Sequence, residues 1–206
     1  MNRSQFREEW SELHGGAPVT GVIGVWLTIS YAIARSLAFF RITPFQVTTA
    51  GIVFSGAMLW SQYTYQLLLL LILALVCDGV DGSLAIYTGK SSRLGELYDS
   101  IADRVSEALW LYALSFLGLS VRYLLIIWVA GAVQEYMRTK LSTLGYSEIG
   151  VITPAERPMR AIFAAAVIVT YTMGFDIAHD IAYIFIALQI ISVLMIVRMS
   201  RSLLTP

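Results

Sequence analysis

Long apolar stretches separated by short polar breaks dominate this chain. A helix needs about 20 predominantly apolar residues to cross the hydrocarbon layer of a bilayer, and stretches of that length are too long for buried strands. Six such candidates are present, at residues 45–61, 66–87, 96–118, 122–142, 159–175 and 181–200. The pattern predicts an all-α, polytopic integral membrane protein with six transmembrane helices.

The segment ahead of the first candidate is less regular. Residues 17–42 are apolar enough for a seventh span, but they contain side chains typical of anchors at a lipid surface, namely Trp26, Tyr31, Arg35 and Arg41. A seventh crossing would also place the N-terminus outside, against its Arg3 and Arg7. We therefore expect residues 1–43 to form an N-terminal cytoplasmic or interfacial segment, an amphipathic helix preceded by a short polar helix, and residues 44–206 to form the six-helix domain.

Composition agrees with a lipid environment. Hydrophobic residues make up 57% of the 206 residues and charged residues 14%, too few polar groups to cover a soluble globule. The formal net charge is zero, so nothing indicates a nucleic-acid partner. The single cysteine, Cys77, excludes an intrachain disulfide.

The distribution of basic residues predicts the orientation in the membrane. Cytoplasmic loops retain Lys and Arg, and with both termini inside only Arg122 falls in an outer connection. The inner positions are Arg3, Arg7, Arg35, Arg41, Lys90, Arg93, Arg138, Lys140, Arg157, Arg160, Arg198 and Arg201. We expect a multi-pass protein of the cytoplasmic membrane.

Four aspartates lie inside the apolar stretches: Asp78, Asp81, Asp99 and Asp103. An ionised carboxylate in a bilayer costs roughly 2.5 kcal/mol or more, so the default interpretation is a functional site. Each pair is three or four residues apart and so lies on one helix face. If the two helices pack together, the four oxygen donors suit one or two Mg²⁺, Mn²⁺ or Ca²⁺ ions, and zinc much less.

Small residues accompany the aspartates. Gly82, Ala85 and Gly95 leave the backbone open to a large polar ligand, and residues 87–94 between the pairs form a polar, basic turn that could receive a phosphate. Residue types alone leave two classes of function open, an enzyme and a cation transporter that uses the aspartates as its transport site. His14 and His179 are far apart in the chain, so no His-based site is expected.

The pattern Asp78-x2-Asp81-Gly82-x2-Ala85-x9-Gly95-x3-Asp99-x3-Asp103 resembles the signature of the CDP-alcohol phosphotransferases, membrane enzymes that displace CMP from a CDP-linked alcohol. The resemblance implies that the four aspartates bind metal, with Mg²⁺ or Mn²⁺ as the ions and two ions per site, and that Asp103 is also the general base. It further implies a homodimer. Because the aspartate pairs flank the turn at Lys90, which the basic residues place inside, we also expect the site to open to the cytoplasm. One position departs from the family: Ile86 stands where an arginine that helps to hold the donor phosphates is usual, and Lys90 or Arg93 is the expected substitute.

The same resemblance suggests a donor site. Thr43-Pro44-Phe45-Gln46-Val47-Thr48 is similar to the Pro-x-x-Val-Thr sequence at the start of the family's first helix, beside the bound nucleotide; a plain helix start with proline is the alternative. The implied set that binds the CDP part of the donor is Pro44, Phe45, Gln46, Val47, Thr48, Gly82, Ala85, Ser92 and Gly95.

A second similarity concerns the acceptor. The pattern Tyr136-x-Arg138-x-Lys140, followed by Glu156-Arg157-Pro158, is similar to bacterial phosphatidylinositol phosphate synthases, and it implies an acceptor-phosphate pocket of Arg138, Lys140, Arg157, Arg160 and Arg198. Snorkelling anchors that bind nothing are the alternative. The implied reaction transfers a phosphatidyl group from CDP-diacylglycerol to inositol phosphate. A phosphatidylglycerophosphate-synthase type of acceptor and a CDP-head-group transferase remain the alternatives within the family.

Overall fold

The computed structural model describes residues 1–146 and 153–204, and within these ranges it contains helices and no strand. The all-α prediction is confirmed. Eight α-helices follow one another: α1 (Arg3–Leu13), α2 (Gly21–Phe39), α3 (Pro44–Ala57), α4 (Thr64–Thr88), α5 (Arg93–Ala113), α6 (Val121–Thr143), α7 (Arg157–Thr172) and α8 (Ala178–Leu204). Short 3₁₀ turns, Met58–Trp60 and Leu114–Leu117, extend α3 and α5.

Every predicted span coincides with a helix, but fewer helices qualify as spans than the six expected. Among the described residues, three helices are long and apolar enough to cross a membrane: α2, α4 and α8. The 14 residues of α3 and the 16 of α7 are short for a crossing, and α5 carries its charges along its length. Helix α2, which we expected at the interface, meets the criterion for a span.

The exposed surface of these helices is strongly apolar. Along α2, Val22 is 86% exposed and Val25 62%, and on α4 Leu69 is 54% exposed. A soluble monomer rarely exposes a contiguous apolar surface of this kind. These faces are therefore suited to lipid, which supports the membrane-protein class.

The chain divides into two compact units. Unit 1 comprises Met1–Ala57 and Leu70–Ser106, and unit 2 comprises Met58–Leu69 and Glu107–Pro206. Unit 1 is built on α1 to α3, most of α4 and the first part of α5. In unit 2, α6 and α7 each pack against α8. The predicted boundary between residues 43 and 44 stays a prediction.

Two of the expected interfacial anchors in α2 are packing residues instead. The ring of Trp26 lies so close to Gly79 on α4 that a Cβ atom there would be 2.4 Å from Trp26 Cζ2. Tyr31 is half-buried and forms an edge-on contact with Tyr87 at a centroid distance of 5.6 Å. Both residues therefore fix α2 against α4, next to the aspartates, a role that residue type alone does not distinguish from anchoring.

Candidate active site

Three of the four aspartates converge. Asp78 on α4 and Asp99 and Asp103 on α5 each offer a carboxylate oxygen, and these oxygens lie within 4.8 Å of one another. Two oxygens on opposite sides of a bound Mg²⁺ are about 4.2 Å apart, twice the usual bond length. The three oxygens would therefore have to move only slightly closer together to coordinate a divalent cation. They are hard oxygen donors, which Mg²⁺ and Mn²⁺ prefer.

Asp81 lies outside this cluster, which differs from the expectation that all four aspartates meet. Its carboxylate, 5% exposed, accepts a hydrogen bond from Thr48 Oγ1 on α3 at 2.5 Å and another from the Gly82 N–H at 2.6 Å. Thr48 thus holds Asp81 toward α3. The physical reason is tertiary, since the hydroxyl partner comes from a helix 33 positions earlier in the chain.

A cavity of about 610 Å³ adjoins the aspartates within unit 1. Asp81 and Asp99 both line it, so the cavity reaches the acidic cluster through Asp99. Its volume lies within the range of small-molecule sites. Seven of the nine predicted donor-binding residues line it: Pro44, Phe45, Thr48, Gly82, Ala85, Ser92 and Gly95.

The structure gives the other two predicted donor residues different roles. The Gln46 side-chain oxygen accepts from the Thr43 N–H at 2.9 Å, and the Thr43 hydroxyl accepts from the Gln46 N–H at 3.3 Å. This capping box starts α3. Val47 is buried against Ala34 and Leu84, so it positions α3 rather than lining the cavity.

Sequence reasoning missed several residues that line the cavity. Tyr98 stacks on Phe45 at a centroid distance of 4.9 Å, and its hydroxyl lies 2.8 Å from Thr49 Oγ1. Its position next to Asp99 was the available signal. Lys90, which the sequence had already suggested together with Arg93, lines the cavity as well. His14, at the end of α1, also lines it, and no local pattern indicated that.

In unit 2, the structure corrects one of the predicted acceptor cations. Arg160 is fully buried, and its guanidinium forms an ion pair with Glu107 and a second one with Glu135 at 3.6 Å. It also donates to the Ala155 carbonyl at 2.8 Å. Because these partners use the guanidinium in the interior, Arg160 is a structural residue and not part of an exposed phosphate pocket.

The remaining four cations are not equivalent. Arg138 is partly buried and forms an ion pair with Glu156. Arg157 is half-buried at the start of α7, whereas Lys140 and Arg198 are exposed. The Glu156 carboxylate also accepts from both the N–H and the hydroxyl of Thr153, at 2.9 and 2.7 Å. Residues 147–152 lie outside the described residues.

The chain is similar to a known protein family and to individual known proteins. A model of the family described as CDP-alcohol phosphatidyltransferase matches residues 31–198. An archaetidylinositol phosphate synthase of Pyrococcus horikoshii is 31% identical over 158 residues, which are 74% of this chain and 84% of the relative. One of Aeropyrum pernix is 34% identical over 108 residues, or 52% of this chain, so the chain spans only 55% of that relative's length.

Two solved structures share the fold. The Mycobacterium tuberculosis phosphatidylinositol phosphate synthase in complex with manganese and citrate has a TM-score of 0.66 at 22% identity, covering 82% of this chain and 87% of that one. The same enzyme with CDP-DAG bound has a TM-score of 0.62 at 24% identity, covering 83% of this chain and 91% of that one.

Proposed function

This chain belongs to the CDP-alcohol phosphatidyltransferase family, and we propose that it transfers a phosphatidyl-type group from a CDP-linked lipid to inositol phosphate, with release of CMP. The observation that carries the proposal is the cluster of Asp78, Asp99 and Asp103 beside a cavity of about 610 Å³. The acceptor follows from the relatives, since both are named as archaetidylinositol phosphate synthases.

The acidic cluster fits the divalent metal that this reaction requires. We propose that Asp78, Asp99 and Asp103 hold a Mg²⁺ or Mn²⁺ ion and that Asp81, kept in position by the Thr48 hydroxyl, would contribute to a second ion. Manganese in the mycobacterial enzyme's structure supports the choice of ions. When bound, such ions neutralise the diphosphate and stabilise the CMP leaving group.

The protein's own groups supply positioning and proton transfer. The cavity walls, including Gly82 and the stacked Phe45 and Tyr98, orient the nucleotide so that the lipid-bearing phosphorus lies near α5. A carboxylate oxygen of Asp103 takes the proton from the acceptor hydroxyl. That hydroxyl oxygen then attacks the phosphorus, and the bond from the phosphorus to the CMP oxygen breaks.

The donor has two versions that differ only in the lipid. The sequence resemblance implies CDP-diacylglycerol, which is the ligand named for the mycobacterial structure. The names of the archaeal relatives specify an archaetidyl group instead. Both present the same cytidine diphosphate to the cavity, so the two lipids are separate arms of the test.

The acceptor pocket and the topology remain proposals as well. We propose that Lys140, Arg157 and Arg198 attract the acceptor phosphate, with Arg138 contributing if it leaves Glu156. The site faces the cytoplasm from the cytoplasmic membrane, and six helices cross. We propose that α2 is interfacial, because His14 before it and Thr43 after it line the same cavity. In a Cys77→Ser background, labelling of Asn2→Cys from outside intact cells would contradict this topology. The implied homodimer stays a prediction.

Release of labelled CMP from each CDP-linked lipid tests the function. We expect release only with Mg²⁺ or Mn²⁺, and only when inositol phosphate is the acceptor. Glycerol phosphate, serine and inositol test the alternative acceptors, and CDP-inositol phosphate with a diglyceride tests the opposite polarity. A cation transporter would release no CMP with any combination, so that result would contradict the proposal.

A further inference from the structure

The N-terminal helix α1 is fixed against the rest of unit 1. Phe6 is fully buried in a cluster with Leu27 of α2 and Ile86 of α4, and half-buried aromatic side chains pack around it. The guanidinium of Arg7 donates to the Thr28 hydroxyl at 2.8 Å and to the Gly24 carbonyl at 3.2 Å. Because truncating a fully buried Phe leaves a cavity that destabilises the packing around it, α1 is an integral part of the structure.

The contact between Phe6 and Ile86 also concerns the proposed donor site. Ile86 occupies the position at which the family usually has an arginine for the donor phosphates, and here it is 5% exposed under Phe6. A side chain that elsewhere holds the ligand is thus used to hold α1. The donor cavity therefore lacks the usual cation at this position, while it gains a wall from the N-terminus.

The far end of α1 reaches the cavity. Leu13 and His14 line it together with Lys90. The His14 ring stacks on Trp10 at a centroid distance of 4.0 Å and an interplanar angle of 16°, and its Nδ1 lies 2.7 Å from the Trp10 carbonyl oxygen. Because a carbonyl oxygen only accepts, Nδ1 carries the proton. Nε2 is the nitrogen available to a ligand, and it donates to a diphosphate oxygen when the ring is in its imidazolium form.

We propose that His14, positioned by the docked α1, contacts the cytidine diphosphate part of the donor and takes over binding that the family assigns to the arginine. The inference rests on the proposed function for the identity of the ligand. His14 and Phe6 both lie outside the family's aspartate signature. The imidazole is held in one orientation before the ligand arrives, which lowers the entropic cost of the contact.

Steady-state kinetics with the full chain and direct titration with soluble CDP in the presence of Mn²⁺ test this. His14→Ala should raise the KM for the CDP-linked lipid and the Kd for CDP about tenfold, the usual effect of losing one hydrogen bond to a charged group. The kcat and the KM for inositol phosphate should stay within about twofold of the wild type. Glu8→Ala, an exposed change on the same helix, is the matched control and should change none of them.

A double-mutant cycle separates contact from mere stability. Phe6→Ala should release α1 and raise the Kd for CDP as much as His14→Ala does, and the double variant should be no weaker than Phe6→Ala alone, because both act through one contact. A wild-type Kd for His14→Ala, or additive effects in the double variant, would overturn the inference. If the wild type binds CDP but releases no CMP from any lipid, the proposed function fails while the cycle still decides the role of His14.

Discussion

Both units of this protein place carboxylates in an apolar helical setting, but the surroundings of these carboxylates differ. In unit 2, Glu107 and Arg160 are both fully buried and form an ion pair, which is complete within the protein. In unit 1, three carboxylates approach one another to within 4.8 Å beside a cavity. A divalent cation bound between like charges at that distance lowers their free energy. The comparison indicates a structural role for the pair and a ligand-binding role for the cluster.

The largest effect is expected at Asp103. Asp103→Asn keeps the side-chain shape but removes the proposed base, so CMP release should fall about 10²- to 10⁴-fold. The purified variant should keep the thermal unfolding midpoint of the wild type within a few degrees. Turnover near the wild-type rate, with the protein folded and Mn²⁺ bound, would refute the assignment of the base.

Disrupting the Glu107–Arg160 ion pair of unit 2 should lower the stability of the protein instead of its activity. Glu107→Gln removes the fully buried carboxylate from Arg160, which keeps the partly exposed Glu135 at 3.6 Å as an acidic partner. Removing one member of a buried pair typically costs about 3–5 kcal/mol. Thermal unfolding in detergent should show a clear drop in the midpoint, with kcat per folded molecule retained. The double change Glu107→Leu with Arg160→Met should recover much of the loss, since apolar replacements of buried pairs are often neutral. A stable but inactive Glu107→Gln would place this pair in the catalytic machinery.

Within unit 1, a change at Thr48 tests the role of the hydrogen bond to Asp81. Thr48→Val removes the hydroxyl that donates to Asp81 at 2.5 Å while keeping the branched shape. A hydrogen bond to a charged group is worth about 1.5–3 kcal/mol, so kcat/KM for the CDP-linked lipid should fall about ten- to hundredfold. Thr88→Val is the control, because the Thr88 hydroxyl donates only to the Leu84 carbonyl of its own helix. Equal effects of the two changes would mean that the Asp81 contact has no special role.

The smallest effect is expected in the acceptor cations. Lys140 is exposed, and exposed ion pairs contribute only about 0.2–1 kcal/mol. Lys140→Ala should therefore raise the KM for inositol phosphate up to about fivefold and leave the KM for the donor unchanged. Arg122→Ala, an exposed cation in the predicted outer connection, should alter neither. An equal rise for both variants would point to a general effect of charge and not to a pocket.

Sequence reasoning worked where the information is local. Helix positions follow from apolar stretches, and the approach of Asp78, Asp99 and Asp103 follows from helical spacing once α4 and α5 are assumed to be neighbours. The aspartate signature also led to the family. Most of the predicted donor-binding residues, from Pro44 to Gly95, were named from the same family resemblance, and they line the cavity.

The misses at Asp81, Arg160, Trp26 and His14 depend on contacts between distant segments. Thr48 draws Asp81 away from the cluster, Glu107 takes up Arg160 from 53 positions away, and Gly79 admits Trp26 of α2. None of these pairings has a periodic signature. His14 reaches the cavity only because Phe6 docks on Ile86, so an isolated histidine in a polar turn gave no indication of its place.

The central claim, that these carboxylates bind the divalent cation used in CMP release, is tested most directly by a crystal structure with Mn²⁺ measured at its absorption edge. We expect an anomalous peak between the carboxylates of Asp78, Asp99 and Asp103. This peak should be absent in the Asp99→Asn variant. An active preparation in which Mn²⁺ binds elsewhere and leaves these three side chains without an ion would contradict it.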